Sequence, residues 1–238
     1  MAGGQRAWFR VITNPSYRPP TPVRVGYNRK CPFFLTRTRK DDRSQGLKHE
    51  VEYNLELVRR LGIGASIARP VLDVDSVSLK KLPFNWNKTG PVIALHPYTS
   101  DAIKQWPLER FFSLARIIVR TLGATVIVIG GKEERQRSIL FSDTDNPKLV
   151  DLVGKTTLPQ LAAVLSKCKL LISGDSGPVH LATCAGTPSI ALFRNDMPGK
   201  GPTRWGPLSP GSIVIDKPDI ADITVQEVFD KVILLWEK

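Results

Sequence analysis

From Val92 to the end, the chain alternates short apolar runs with amphipathic stretches, and that rhythm restricts the fold more than any other feature. "VIALH", "TVIVIGG", "LVDLVG", "LLISG", "SIALF" and "SIVI" have the length and composition of buried strands. Between them lie "PLERFFSLARIIVRTLG", "KEERQRSILF", "TLPQLAAVLSKC", "GPVHLATCAG" and a closing "TVQEVFDKVILLW", each with helical spacing or helix boundary residues. Strand and helix in turn, at these lengths, build βαβ units with right-handed crossovers. The expectation is an α/β, Rossmann-like parallel sheet with helices on both faces over residues 92–238. Ligands of such sheets sit at the carboxyl ends of the strands, where loops lead into helix N-termini.

The first part of the chain reads differently. Residues 1–47 are rich in Pro, Arg and Gly, with short strand-like pieces such as Val23–Tyr27. "HEVEYNLELVRRL", from His49 to Leu61, spaces apolar residues as a helix does, and Gly62 stops it. We therefore divide the chain into residues 1–63, a Pro- and Lys-containing linker over 64–91, and the α/β domain over 92–238.

Charge and cysteine narrow the functional classes. Of the net charge of +12, +8 falls in residues 1–60, where thirteen Lys and Arg face five Asp and Glu. A segment such as "RTRKDDR" (Arg37–Arg43) can meet phosphate, anionic lipid or nucleic acid, although a solvated mixed-sign face is the plainer reading. No zinc finger, helix-turn-helix or RNA-stacking signature supports a specific nucleic-acid site. Cys31, Cys168 and Cys184 are odd in number and lack a CxxC pair, which fits a reducing compartment better than a disulfide or zinc framework. No apolar run reaches the ~20 residues of a membrane span, and "MAGGQRAWFR" lacks the apolar centre of a signal peptide.

Three loops carry chemistry. The first, Gly174-Asp175-Ser176-Gly177-Pro178, joins a strand to a helix. Unsatisfied N–H groups and the positive end of the helix dipole converge there on an anion. Gly174 and Gly177 permit close backbone approach, and His180 lies near the first turn. A serine nucleophile is a poor reading, because a hydrolase elbow needs G-x-S-x-G and this is G-D-S-G-P. Ser176 is expected to cap the helix and donate a hydrogen bond.

The second loop, "LHPYTSDAIKQWPLERF", also follows a strand and precedes a helix. Thr99 and Ser100 offer hydroxyls, and Lys104 offers a mobile point charge suited to a diphosphate. The third is the Gly130-Gly131 turn followed by Glu133 and Glu134. An acid just past a strand end can accept hydrogen bonds from ribose hydroxyls, and two solvated acids at a helix start are the plain alternative. Asp143-Thr144-Asp145 has the spacing of a metal–sugar-diphosphate motif, but Asn146-Pro147 marks it as a turn.

Taken in order, "LHPYTSDAIKQWPLERF", "VIVIGGKEE" and "SGDSGPVHLATCAGTPSIALF" resemble glycosyltransferase family 9, the ADP-heptose:lipopolysaccharide heptosyltransferases. "GPTRWGPLSP" looks like the family's glycine/proline loop, and Arg24–Ile63 looks like the end of its acceptor domain with the helix leading out of it. The similarity covers most of residues 24–236. It implies a two-domain GT-B glycosyltransferase whose C-terminal domain binds the nucleotide-sugar donor, here with a remnant of the N-terminal acceptor domain.

Carried over residue by residue, the resemblance assigns Thr99, Ser100 and Lys104 to the diphosphate and Glu133 or Glu134 to the ribose. Asp175, Ser176, Gly177 and His180 fall to the phosphates and donor sugar. Lys104 becomes the leaving-group stabiliser of an inverting reaction that needs no metal and no cofactor. The implied partners are an ADP-sugar donor and a lipopolysaccharide-core-type acceptor. The implied location is the cytoplasm, at the inner face of the inner membrane, with the basic N-terminal segment in contact with anionic lipid.

The chain also departs from the family. It lacks the opening strand, glycine-containing loop and Asp that looks like the catalytic base, so no base is identified and an N-terminal truncation is expected. "RNDMPGKGP" follows Phe193 where relatives usually have Gly or Ser and Thr, and the Thr99 loop is about one residue longer. The rival reading is a non-catalytic nucleotide- or partner-binding module derived from the same fold.

Overall fold

In the computed structural model of the chain, the described residues are 21–29, 32–74, 79, 82, 84, 86, 89–138 and 146–237. Residues 1–20, Cys31 and Asp143-Thr144-Asp145 lie outside them. The described residues fall into two compact units, one of residues up to Asp42 with Glu52–Ser66, the other of Arg43–Val51 with Ile67 onward.

In the first unit, Val25–Tyr27 (β1) and Arg37–Arg39 (β2) pair in parallel. Most of helix α1, Glu50–Arg59, belongs to this unit, and the Tyr27 hydroxyl donates to its Tyr53 carbonyl at 2.7 Å. Arg39 pairs with Glu56 and Asp42, and Arg29 with Asp41.

The second unit is built on six strands: Val92–His96 (β3), Thr125–Val128 (β4), Leu149–Asp151 (β5), Leu170–Gly174 (β6), Ser189–Arg194 (β7) and Ile213–Lys217 (β8). Every pairing is parallel, in the order β5-β4-β3-β6-β7-β8. The chain steps outward from β3 to β5, crosses back, and runs the other way from β6 to β8. Direction therefore reverses between β3 and β6, and in open α/β sheets a crevice forms at such a point.

Helices α2 (Leu108–Leu122), α3 (Leu158–Lys167), α4 (Gly177–Ala185) and α5 (Pro202–Trp205) lie in crossovers, and α6 (Val225–Trp236) follows the last strand. Local chemistry sets their ends. Thr157 with Gln160 and Thr224 with Glu227 form capping boxes that open α3 and α6. Gly123 and Gly186 close α2 and α4 in the left-handed conformation, at φ 62° and 82°.

Period-two alternation sends the strand side chains to opposite faces. Ile93 and Leu95 pack with Phe111, Leu114 and Ile118 of α2 and Val228 and Val232 of α6. Val92, Ala94 and Leu171 pack with Ala163, Val164 and Leu165 of α3. Leu79, Leu82, Phe84 and Trp86, from the stretch read as a linker, join this second face.

One predicted helix is corrected. "KEERQRS" forms a 3₁₀ helix, Lys132–Ser138, rather than an α-helix. Its seven residues include no apolar side chain to bury, and Glu134 folds back onto the Gly131 N–H.

Candidate functional site

The loop after β3 is fixed from below before it offers anything to a ligand. Trp106 is buried with its indole N–H donated to the Ile223 carbonyl at 2.8 Å, and its ring meets Phe111 edge-on at 4.8 Å. Ahead of it, Asp101 caps a 3₁₀ turn, Ala102–Lys104, by accepting from the Ile103 N–H. Lys104 is thereby held over the end of the neighbouring strand β6.

There Lys104 meets Asp175: its ammonium donates to the Oδ2 carboxylate oxygen at 2.5 Å. Gly174 makes this approach possible, since a Cβ on it would stand 3.2 Å from Thr99 Cγ2 and 3.3 Å from the Lys104 carbonyl. Gly177, by contrast, faces open space, with nothing within 4 Å of an added Cβ. The start of α4 is therefore uncovered at the same spot and its dipole favours negative charge, while Pro178 has no N–H and Val179 donates its own to the Ser176 carbonyl.

His180, half-buried in the next turn, lies edge-on to Trp205 at 6.5 Å. Burial holds its imidazole below the ordinary range, against the pull of Asp175. Arg194, at the end of β7, reaches the Ile103 carbonyl at 3.3 Å and pairs with Asp196.

Two expected site residues are turned elsewhere. Ser176 occupies the N-cap of α4, but its hydroxyl makes no cap bond. It is drawn inward to His96 and Ser173, which corrects the capping role expected of it. Thr99 donates its hydroxyl to the Asp101 carbonyl at 2.8 Å, within its own loop, and Ser100 is exposed beside it.

At the end of β4, Glu134 accepts the Gly131 N–H while Glu133 stands exposed. Arg137 ties this turn to the β3 loop by donating to Gln105 at 2.6 Å and lies 5.5 Å from the centre of the Tyr98 ring. The structure thus brings Lys104, Asp175, Ser176 and Gly177 together at the switch point. Glu133 and Glu134 stand apart from them at the next strand end.

Sequence reasoning did not select His96. It sits within the quoted "LHPYTS", and a histidine as the last residue of an apolar strand was the available signal.

Residues 16–231 match the model of glycosyltransferase family 9 (heptosyltransferase). The chain belongs to this family. Among curated relatives, a lipopolysaccharide core heptosyltransferase of Haemophilus influenzae is 35% identical over 103 residues, 42% of this chain and 29% of that protein. A lipooligosaccharide heptosyltransferase 2 of Haemophilus ducreyi is 25% identical over 204 residues, 80% of this chain and 57% of that protein. The chain therefore spans less than two thirds of either relative. In fold, the family 9 chain is similar to the Escherichia coli ADP-heptose lipopolysaccharide heptosyltransferase II, with a TM-score of 0.76 and 21% identity over 90% of this chain and 70% of that one.

Proposed function

We propose that the second unit binds an ADP-sugar of the heptose type and takes part in its transfer to a lipopolysaccharide-core-type acceptor. One observation carries the reading. Lys104 and Asp175 meet at the uncovered N-terminus of α4, where the sheet changes direction. A diphosphate placed there gains a cation, the backbone of exposed Gly177 and a helix dipole at once. The names of the relatives supply the donor and acceptor.

In this reading the acceptor hydroxyl attacks the anomeric carbon, inverts it, and gives up its proton to a carboxylate. Charge grows on the departing nucleotide diphosphate. Lys104 and the N-terminus of α4 stabilise that charge most strongly as it develops, which is the condition for catalysis rather than mere binding. Asp175, Ser176, Gly177 and His180 hold the phosphates and sugar, Thr99 and Ser100 assist at the diphosphate, and Glu133 or Glu134 receives the ribose. The work is placed in the cytoplasm, at the inner face of the membrane that carries the acceptor. Anionic lipid would be met by exposed Arg37 and Lys40 of the basic segment.

Calorimetric titration of the purified chain with ADP tests this, beside Lys104→Ala and Asp175→Ala. Binding by the wild type that weakens about tenfold or more in each variant is the expected result. A folded wild-type chain that takes up no ADP would sink the reading.

A further inference from the structure

His96 ends β3 with its ring inside the protein, 6% exposed. Strand register places it opposite Ser173 of β6, and the turn after β6 brings Ser176 to the same point. Three polar atoms close a triangle. His96 Nδ1 lies 3.2 Å from Ser173 Oγ and 3.1 Å from Ser176 Oγ, and the two hydroxyls are 2.9 Å apart. Both hydroxyls also have donor geometry toward the Gly174 carbonyl, at 3.0 and 3.2 Å.

A carbonyl can only accept, so it is where hydrogens in this cluster end. The ring nitrogen at the far side is then the place to begin: Nδ1–H to Ser176, Ser176 to Ser173, Ser173 to Gly174. The opposite direction, with Nδ1 accepting from Ser176, also satisfies the cluster when the site is empty. The two differ once an anion arrives at the start of α4. If Nδ1 accepts and the Ser176 hydrogen turns outward, the single Ser173 hydrogen can serve Nδ1 or the Gly174 carbonyl but not both, so the cluster loses a bond that the other tautomer keeps. If Nδ1 donates, Ser176 goes on accepting from the ring and Ser173 goes on donating to Gly174 while the Ser176 hydrogen leaves Ser173 for the anion.

We propose that His96 carries its proton on Nδ1 and so positions Ser176 as a hydrogen-bond donor to a phosphate oxygen at the α4 N-terminus. His96 is a positioning residue, acting through Ser176. Burial favours the neutral ring that this requires. The inference rests on the donor-site reading above, but one arm of its test does not.

That arm is ¹⁵N NMR of the histidine side chains in the full chain. With three histidines, the His96 signals are assigned by their loss in His96→Asn. A protonated Nδ1 with a bare Nε2 is expected, and a bare Nδ1 overturns the proposal whether or not ADP binds.

The second arm is a double-mutant cycle on ADP affinity. His96→Leu and Ser176→Ala should each weaken binding about tenfold, and the double variant should be no weaker than Ser176→Ala. His96→Asn, which can offer an amide donor near the Nδ1 position, should recover most of the loss. Losses that simply add would mean that His96 acts independently of Ser176, and that too overturns the proposal. A wild-type chain that binds no ADP overturns the donor-site reading and leaves the NMR arm to decide His96. Should His96→Leu fail to fold, His96→Asn and the tautomer measurement still decide the matter.

Discussion

Lys104 and Asp175 are 71 positions apart in the chain, yet the ammonium of one donates to the carboxylate of the other at 2.5 Å. With 22% and 11% of their side chains exposed, the pair is largely shielded from water. Such a pair contributes little net stability, but breaking it leaves an uncompensated charge. It also holds the lysine at the strand end before any ligand is present, so less side-chain freedom is lost on binding.

Stability and binding should therefore separate on substitution. Lys104→Met leaves Asp175 without its partner and is expected to cost about 1–3 kcal/mol. Adding Asp175→Asn removes the stranded charge and should return most of that loss. ADP binding should stay weak in both, because neither has the cation. Urea denaturation beside calorimetry decides it; a double variant less stable than Lys104→Met would refute the pairing argument.

The two glycines of the loop make a second pair of opposites. Alanine at 174 presses on Thr99 and on the Lys104 carbonyl, and a backbone carbonyl yields poorly. A loss of about 1–3 kcal/mol is expected, with weaker ADP binding as the β3 loop shifts. Alanine at 177 meets nothing and suits a helix start, so stability should change by about 0.5 kcal/mol or less. Its methyl adds bulk at the N-terminus of α4, where the phosphates are proposed to sit, and ADP affinity should fall all the same. Equal affinity in Gly177→Ala and wild type would place the phosphates elsewhere.

The strands and most helices were legible in the sequence because apolar runs and caps are local signals. "KEERQRS" misled because acids followed by arginines look like a helix start and end, yet no apolar face exists to pack it. The site was half legible. Loops after strands point to Lys104 and Asp175, but their contact depends on β3 lying beside β6, a matter of strand order that no segment encodes by itself. Ser176 read as a cap because serine before a helix usually is one. The competing partner, His96, stands 80 positions away in the chain and reaches it only through the β3–β6 register.

Trp106 anchors the β3 loop in two ways that can be told apart. Trp106→Phe removes the indole donor, but Arg110 also donates to the Ile223 carbonyl, at 2.6 Å, so that acceptor is not orphaned. A loss of about 1 kcal/mol is expected. Trp106→Ala also empties a core position and should cost about 3–5 kcal/mol. Similar losses for the two, measured by urea unfolding, would mean that the hydrogen bond rather than the packing fixes the loop.

The buried His96 also gives stability a dependence on pH whose sign can be worked out. Burial lowers its pKa in the folded chain from 6.5 to about 4. Between those values the unfolded chain binds a proton that the folded chain refuses, so the unfolded state gains as pH falls. The contribution is complete above pH 6.5, declines below it, and is gone near pH 4. A shift of this size corresponds to about 3 kcal/mol across the window. Glu227, whose carboxylate is held at about 2 by the Thr224 backbone N–H and Lys217, loses its own stabilisation only below its ordinary value of 4.5. Unfolding free energies at pH 7.5, 6, 5 and 4.5 therefore report chiefly on histidine. Wild type should lose stability steadily over that range, and His96→Asn, which keeps His180 as its one histidine lowered by burial, should lose less. Parallel curves for the two proteins would show that the His96 ring is not kept neutral by its burial.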